Sequence, residues 1–285
     1  MNSKNKPKVI SPLADEYSSL LGILCRPFKR FGGISGLIRH IFNIGLQEAI
    51  RRMFWLLRQP ICEAVNRFYD YKHKVDTCGH IKPANLDIDL DSQTYSEAYS
   101  PTPTKSLRNM LNAVSINLQD YSFIDYGCGK GRALLIAAEK PFRQILGVEH
   151  SAALTRIAEE NIQVYKNGDL RSRSIEALCI DATIFEPPPG PCLFYFFSPF
   201  HGKILNRVVS CIQHSYQKNP RSMVIIFSEE ENTSEIPNAL FESIDSMKKI
   251  KLSKLPLDLG APVPLFYALY ANPESGLLDT VPATK

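Results

Sequence analysis

The chain has 285 residues, of which 44% are hydrophobic and 22% charged, so it can bury one sizeable core and is neither disordered nor fibrous. It has no stretch of about 18 uncharged apolar residues and no apolar segment after its lysine-containing start, so we expect a cytoplasmic protein without membrane span or signal peptide. Seven cysteines without a C-x-x-C pair indicate reduced thiols. The group Cys62, His73, Cys78 and His80 matches no standard zinc spacing, and we predict no metal site.

Residues 1–75 are predicted to form a basic, amphipathic helical region. This segment carries 13 Lys/Arg and 5 Asp/Glu, a net charge of +8, whereas the rest of the chain carries −4. In residues 36–71, apolar residues recur at steps of three to five with arginines between them, which is typical of a helix. Two interpretations stay open: the helix packs on a core, or it binds a partner or lies peripherally on a membrane.

Residues 76–103 are polar and irregular, with alternating aspartates and two closely spaced prolines. Long irregular segments in compact proteins are usually functional or disordered, so this segment is predicted to be a linker or an active-site lid. Residues 104–275 are predicted to form the main domain, which begins with a helix, and residues 276–285 a flexible tail.

From residue 120 onward, strand-like and helix-like runs alternate. Strands are predicted at 123–126, 144–149, 174–180, 192–197 and 223–227, with helices at 132–140, 152–166 and 203–217. This alternation predicts an α/β fold whose parallel strands form an open doubly wound sheet. The apolar runs at 241–252 and 264–271 have no long helix between them, and they predict two closing strands paired antiparallel.

The turn after the first predicted strand contains three alternate glycines, in the run SFIDYGCGKGR. Ligands of doubly wound sheets bind at this turn, where Gly127, Gly129 and Gly131 allow positive φ angles and close approach of a ligand. A dinucleotide motif would have a glycine in place of Arg132. The carboxylate of Asp125 would repel a pyrophosphate and attract an ammonium group. The pattern therefore disfavours a nicotinamide-dependent dehydrogenase.

S-adenosylmethionine has an ammonium group, a ribose and an adenine but no phosphate. The run DYGCGKG at 125–131 resembles the D-x-G-x-G-x-G motif of the class I S-adenosylmethionine-dependent methyltransferases, and the resemblance covers about residues 120–272. The pattern is most similar to uncharacterised bacterial methyltransferases and, more loosely, to methyltransferases of protein lysines. The resemblance implies S-adenosylmethionine as cofactor and a mostly parallel, seven-stranded, Rossmann-like sheet with an antiparallel C-terminal strand. The basic region 1–75 adds a helical N-terminal extension to this sheet.

Two acids after the glycine turn match cofactor-binding positions of this family. Glu149 lies 24 residues after Asp125, at the end of the second predicted strand, and would accept hydrogen bonds from both ribose hydroxyls. Its alternative role is that of a helix cap. Asp181 would accept from the adenine amino group while the N–H of Ala182 meets the ring, or else Asp181 caps a turn or a helix.

Two residues before the main domain match a Y-x-P-[ST] element of related methyltransferases. By this resemblance, Tyr99 and Thr102 line the methionine end of the cofactor. A proline-bounded helix entry with a threonine cap explains the same residues equally well. Arg132 has two open roles as well, since it could meet the cofactor's carboxylate or brace the glycine turn against an acid.

The end of the fourth predicted strand, FFSPF at 196–200, is similar to the N-P-P-[YF] element of methyltransferases that act on nitrogen. Ser198 replaces the amide residue of that element, which weakens the grip on a planar nucleobase amine. Ser198 is expected to position the acceptor, with Pro199 and Phe200 beside the reactive methyl group. Methyl transfer from a sulfonium depends mainly on positioning, so no indispensable base is predicted.

The sequence therefore predicts an S-adenosylmethionine-dependent methyltransferase with an unidentified acceptor, for which a protein lysine is preferred to a small molecule. The alternative is a non-catalytic partner- or membrane-binding module that retains the fold, which the intact acids of the three strand ends disfavour. Nucleic acid is a less favoured partner, because the basic segment has a helix-packing rhythm rather than a basic stripe with stacking platforms.

Overall fold

The computed structural model describes residues 46–165, 171–172, 174–230 and 237–278, with side chains from residue 57 onward. The chain divides into two compact units, residues 1–64 and 65–285. Helix α1 spans Leu46–His73, so the predicted amphipathic helix is described from residue 46, while its start and the end of the predicted tail lie outside the described residues. Within the described ranges, no helix is long and apolar enough to cross a membrane.

The second unit is built around one mixed sheet. Its described strands are β1 (Ser122–Tyr126), β2 (Gln144–Glu149), β3 (Ile175–Cys179), β4 (Cys192–Phe197), β5 (Met223–Glu230), β6 (Lys248–Lys254) and β7 (Leu265–Ala271). Its described helices after α1 are α2 (Leu90–Tyr95), α3 (Thr104–Asn112), α4 (Arg132–Ala137), α5 (Ala152–Tyr165), α6 (Gly202–Lys218) and α7 (Asn238–Glu242).

The strand order is β3-β2-β1-β4-β5-β7-β6, in which β1 to β5 are parallel and β7 is antiparallel to both of its neighbours. This confirms the α/β, doubly wound, mostly parallel seven-stranded sheet with an antiparallel C-terminal strand. Several boundaries differ from the sequence-based expectation, among them the end of β5 at Glu230 rather than at residue 227. The run predicted as a strand from residue 241 begins instead inside α7, and α4 ends at Ala137 rather than at residue 140.

The sheet is covered by helices on both faces, and this explains its apolar sequence. One face packs in a hydrophobic cluster with α3, α4 and α5, and the other in a cluster with α6 and α7. All five residues of β1 are buried as a result. A strand buried on both faces reads as a nearly continuous apolar run, so a carboxylate within β1, such as that of Asp125, is costly unless a ligand or partner uses it.

Residues 76–103, which we call the strap, are folded back on the main domain. A bridge between Ile81 and Tyr99 closes the strap on itself, and a bridge between Ser96 and Phe200 ties it to the loop after β4. The carboxylate of Asp87 accepts hydrogen bonds from the Ser151 hydroxyl and from the backbone of Ala153, at the start of α5. The strap thus lies at the carboxyl ends of the parallel strands, where ligands of this fold class bind.

Candidate functional site

A cavity of about 260 Å³ opens at the carboxyl ends of the parallel strands, between the glycine turn, the loop after β4 and the strap. Its volume lies slightly below the range of about 300–1,000 Å³ that is typical of small-molecule sites. The cavity brings together nearly all the residues predicted for the cofactor and the acceptor: Tyr99, Thr102, Asp125, Gly127, Gly129, Glu149, Asp181, Ala182, Ser198, Pro199 and Phe200.

Asp125 is the most unusual of these residues. It is only 3% exposed, and no group among the described residues donates a hydrogen bond to its carboxylate. Burial, with the nearby charge of Glu149 as the second cause, raises the pKa of Asp125 to about 8. A buried carboxylate that faces a cavity without a donor is a place for a cationic ligand.

Glu149 is buried at the end of β2, and its two carboxylate oxygens are each held by a backbone amide. The N–H of Gly129 donates to Oε2 at 2.8 Å, and that of Ser151 donates to Oε1 at 2.9 Å. Burial nevertheless raises the pKa of Glu149. The hydroxyl of Ser151 accepts from the N–H of Leu154 and is the cap of α5. Glu149 instead joins the glycine turn to the start of that helix.

The glycine turn has no room for side chains at two of its positions. A Cβ at Gly127, where φ is +77°, would lie 2.5 Å from Cβ of Pro199, and a Cβ at Gly129, where φ is +54°, would overlap the ring of Tyr99. Both the backbone conformation and the packing therefore require glycine. The ring of Tyr99 lies over the turn because its hydroxyl donates to the carbonyl of Thr77 at 2.6 Å.

Gly131 differs from the other two glycines. The structure does not place it among the described residues around the cavity, and it precedes α4 with a φ of +85°. A Cβ there would lie 3.1 Å from Cβ of Ala158 on α5. The third glycine of the motif is therefore explained by the close packing of α4 on α5, and a direct cofactor contact stays a prediction.

Asp181 and Thr102 each have two roles that the sequence left open, and the structure describes the contacts that bear on them. Asp181 Oδ1 accepts from the N–H of Thr183 at 2.8 Å, so the residue does form a turn, but it is only partly buried and still lines the cavity. Thr102 is buried and also lines the cavity, whereas Pro103 occupies the N-cap position of α3, where no side-chain cap is made.

The loop after β4 is held in an uncommon backbone conformation. Ser198 has a φ of +40°, a region that residues with a side chain seldom adopt. The loop is fixed on either side, since the carbonyl of Pro199 accepts from the N–H of Glu97 at 2.9 Å and Phe200 packs edge-on against Phe196. The strain therefore lies at the residue predicted to position the acceptor.

The sequence left two roles open for Arg132, contact with the cofactor's carboxylate or bracing of the glycine turn against an acid. Its contacts favour the second role. The buried side chain donates to Thr77 Oγ1 at 2.6 Å, to Asp70 Oδ1 at 3.1 Å and to Asn66 Oδ1. Its guanidinium also lies 4.8 Å from the ring centre of Tyr69. Arg132 thus braces the glycine turn against the strap and against residues 66–70 of α1, which belong to the second unit. No sequence pattern identifies Asp70 as its partner, because 62 residues separate the two.

Acidic side chains outnumber basic ones in the cavity wall. Besides the three predicted acids, Glu97, Glu229 and Glu230 line it, together with Arg132, His80 and His150. None of these three glutamates was predicted as a site residue: Glu229 and Glu230 lie beyond the strand predicted at 223–227, whereas the observed β5 extends to Glu230. Within the described ranges, no group of three or more His, Cys, Asp or Glu side chains is placed to hold a metal ion. The arrangement favours a cationic organic ligand.

No protein-family model matches the chain, and no curated protein matches its sequence. Solved structures with a similar fold include a protein from Pseudomonas syringae that is described as a methyltransferase (11% identity, TM-score 0.44, covering 59% of this chain and 97% of that one). Another is an S-adenosylmethionine-dependent methyltransferase from Methanosarcina mazei (12% identity, TM-score 0.43, covering 57% of this chain and 96% of that one). A third is a TehB-like S-adenosylmethionine-dependent methyltransferase from Corynebacterium glutamicum (10% identity, TM-score 0.42, covering 60% of this chain and 88% of that one). At these values the function has to be inferred from the site's own residues.

Proposed function

We propose that the chain binds S-adenosylmethionine in this cavity and transfers its methyl group to an acceptor amine, for which a protein lysine is preferred. The observation that carries the proposal is the buried carboxylate of Asp125, which faces the cavity and has no donor among the described residues. The ammonium group of S-adenosylmethionine would supply the missing cation. A dinucleotide would instead bring two phosphates toward a wall rich in carboxylates, at a large electrostatic cost.

The neighbouring groups suit the remaining parts of the same ligand. Two backbone amides hold the carboxylate of Glu149 in a fixed orientation, and its other lone pairs are directed to accept hydrogen bonds from ribose hydroxyls. Asp181 uses Oδ1 for its turn, which leaves Oδ2 to accept from the adenine amino group. The order of these acids along β1, β2 and β3 matches the order of the ammonium, the ribose and the adenine in the ligand.

The chemistry asks little of the protein beyond placement. In-line displacement at a sulfonium methyl needs the nucleophile held against the methyl carbon in line with the carbon–sulfur bond. The loop that contains Ser198 lines the same cavity and is fixed by the strap, which makes it suitable to position an acceptor. This supports transfer to an external acceptor rather than storage of the ligand.

Isothermal titration with S-adenosylmethionine and with NAD tests the proposal directly. We expect binding of S-adenosylmethionine only, and at least tenfold weaker binding in Asp125→Ala and Glu149→Ala. Asp120→Ala and Glu176→Ala are matched controls, because these exposed acids lie just before β1 and on β3, and they should leave the affinity unchanged. Binding of NAD but not of S-adenosylmethionine, or normal affinity in both site variants, would contradict the proposal.

The acceptor class needs a second experiment. Incubation of the protein with a cell lysate and methyl-labelled S-adenosylmethionine shows whether the label enters protein, nucleic acid or small molecules. We expect alkali-stable label in protein, as for N-methyl-lysine. Label confined to nucleic acid or to small molecules would overturn the preference for a protein amine and leave the cofactor assignment standing.

A further inference from the structure

The middle of the strap, residues 82–94, is held to the domain in a different way from the two ends of the strap; we call it the flap. At the first end, Thr77 is fully buried, and its N–H and its hydroxyl both donate to the carboxylate of Asp70. At the second end, the N–H of Glu97 donates to the carbonyl of Pro199 at 2.9 Å, beside the loop predicted to position the acceptor. The flap is therefore anchored on both sides.

The flap itself is joined to the rest of the domain by polar contacts at the surface. Among the described residues, the hydrogen bonds and ion pairs that reach from the flap beyond the strap come from two exposed aspartates. Asp91 forms an exposed ion pair with Lys203, and Asp87 accepts from the hydroxyl of Ser151 and from the N–H of Ala153. Exposed contacts contribute little to stability, so the flap can open while both ends of the strap stay in place.

Asp87 lies between two apolar residues that face the other way. Leu86 and Ile88 are partly buried and line the cavity, whereas Asp87 is exposed. The backbone at Leu86 is extended, with φ of −92° and ψ of 150°, and successive side chains of an extended segment project to opposite sides. The bonds from Asp87 to the start of α5 therefore hold two apolar side chains at the cavity wall.

This part of the flap lies at the end of the cavity that is proposed to hold the nucleoside. Ser151, which binds Asp87, follows Glu149 by two residues. The N–H of Ile180 donates to the carbonyl of Glu149 at 2.9 Å, which brings the neighbouring Asp181 to the same end. Apolar side chains beside a few fixed polar groups are typical of small-molecule sites, and they suit the face of a purine ring better than a charged group.

A separate observation indicates that a ligand enters this cavity. Asp125 is 3% exposed and lines the cavity, and no group among the described residues donates a hydrogen bond to its carboxylate. It precedes the glycine turn, over which the ring of Tyr99 lies. A ligand that contacts both Asp125 and the flap would extend from an ammonium group at the turn to a ring at the start of α5.

We propose that Leu86 and Ile88 are cofactor-binding residues that cover the adenine ring of S-adenosylmethionine, and that Asp87 is the latch that closes the flap over the ring. This inference rests on the proposed function. The hydrogen bond from Ser151 lowers the pKa of Asp87, so the carboxylate is ionised at neutral pH and binds its donors strongly. Opening of the latch admits S-adenosylmethionine and releases S-adenosylhomocysteine. The latch thus controls how fast the nucleoside leaves, and the fixed end of the strap at Glu97 keeps the acceptor loop in place.

The contact with the ring is tested by surface plasmon resonance on the immobilised full chain. The probes are S-adenosylhomocysteine and 5′-methylthioadenosine, which keeps the nucleoside and lacks the amino-acid end. In the Leu86→Ser/Ile88→Ser double variant, both probes should bind about tenfold more weakly, because the apolar contact with the ring is lost. Leu90→Ser is the matched control, since Leu90 belongs to the same flap but is 81% exposed, and it should leave both affinities unchanged.

The latch is tested by Asp87→Ala in the same experiment. Loss of its hydrogen bonds should speed dissociation of S-adenosylhomocysteine by about fivefold, with an unchanged midpoint of urea denaturation. Asp91→Ala is the matched control and should change the rate by less than about twofold, because it removes only an exposed ion pair. Hydrogen exchange measured by mass spectrometry should show that S-adenosylhomocysteine protects residues 82–94 in the wild type and protects them much less in Asp87→Ala.

Each outcome supports or overturns a defined part of the inference. Failure of S-adenosylhomocysteine to bind the wild type overturns the proposed function and the role of the flap with it. Normal affinities in the Leu86/Ile88 double variant, or weaker binding of S-adenosylhomocysteine but not of 5′-methylthioadenosine, overturn the contact with adenine and leave the methyltransferase proposal intact. Equal dissociation rates in Asp87→Ala and Asp91→Ala, or equal protection of the flap in Asp87→Ala and the wild type, overturn the latch.

Discussion

The two halves of the cavity are built in different ways. The half proposed to bind the cofactor consists of a contiguous turn, Asp125 to Gly129, and of an acid on the next strand, whose carboxylate accepts a hydrogen bond from that turn. The half proposed to bind the acceptor is assembled from the strap, the loop after β4 and the end of β5, which are far apart along the chain. The comparison teaches that ligand parts common to many enzymes can be held by a short local motif, whereas the acceptor needs surfaces that only folding brings together.

The cofactor half nevertheless depends on a distant brace, and Arg132→Met tests how strongly. The substitution leaves Asp70 without its cation and removes several buried hydrogen bonds, so the free energy of unfolding should fall by about 3–4 kcal/mol. Urea denaturation measures the loss. Arg108→Met is the control: Arg108 forms a two-pronged pair with Glu139 that is about one-third exposed, and its loss should cost below about 1 kcal/mol. Similar losses in both variants would refute the brace.

Gly129→Ala should disrupt the contact between the glycine turn and the ring of Tyr99 in the strap, where the two halves of the cavity meet. The new Cβ overlaps the ring of Tyr99, and φ at this position is positive, so we expect a loss of about 2–3 kcal/mol together with at least tenfold weaker cofactor binding. Gly276→Ala has the same kind of backbone strain, with φ of +70° and nothing within 4 Å, and should cost only about 1 kcal/mol. Equal effects on stability and affinity would show that the Tyr99 contact is unimportant.

Asp125→Asn separates function from stability in the cofactor half. The folded-state pKa of about 8 lies above the unfolded value of 3.8, so the unfolded chain loses this proton first and the wild type loses stability as pH rises between these values. The Asn variant escapes this penalty. It should equal the wild type below about pH 4 and become progressively more stable than the wild type as the pH rises toward 8, as measured by urea denaturation.

The same substitution should weaken binding of S-adenosylmethionine at every pH, because the ammonium loses its counter-charge. In the wild type, binding of that ammonium favours ionised Asp125, so complex formation near pH 7 should release a proton. Titration in buffers of different ionisation enthalpy detects this release. A variant that binds normally, or that is less stable than the wild type at high pH, would argue against the assigned role of Asp125.

Ser198→Gly gives the smallest expected change in stability and concerns the acceptor half. Relief of the strain at a φ of +40° should slightly exceed the added freedom of the unfolded chain, a net gain of about 0.5 kcal/mol. Methyl transfer should slow at least fivefold while cofactor affinity is unchanged. Ser246→Gly, with φ of +62° in the turn before β6, is the control that shares the relief but not the slower transfer. Equal rates of methyl transfer in the two variants would contradict a role of Ser198 in positioning the acceptor.

The prediction that the amphipathic helix α1 binds a partner or a membrane surface stays open. Phe68 and Tyr71, which belong to the second unit, are 66% and 83% exposed, so this part of the helix is accessible to a partner or a membrane surface. The predicted division at residue 75 and the division into units after residue 64 have different consequences for truncation. A chain that begins at residue 76 would lack Asn66 and Asp70 and leave Arg132 buried without them, so it should be less stable than one that begins at residue 65.

Much of the fold followed from local patterns. Alternating apolar runs and helical rhythms identified β1 to β5 because parallel strands covered on both faces have to be apolar, and a carboxylate inside β1 stood out for the same reason. The element boundaries that were predicted wrongly lie where the pattern of apolar and polar residues does not distinguish a helix from a strand. The apolar run from residue 241 fits a helix or a strand equally well until its neighbours are known, and Phe241 is buried from within α7 by α6 and β5.

The sequence by itself determined the sheet, the glycine turn and the acids of the first three strands, because these depend on residues close together and on the fixed edge at which parallel strands end. Only the tertiary structure decided what Arg132 pairs with, why Gly129 has to be a glycine, and that Glu97, Glu229 and Glu230 face one cavity. The physical reason is that charge pairing and close packing act between residues adjacent in space, and the distance between them along the chain leaves no periodic trace in the sequence.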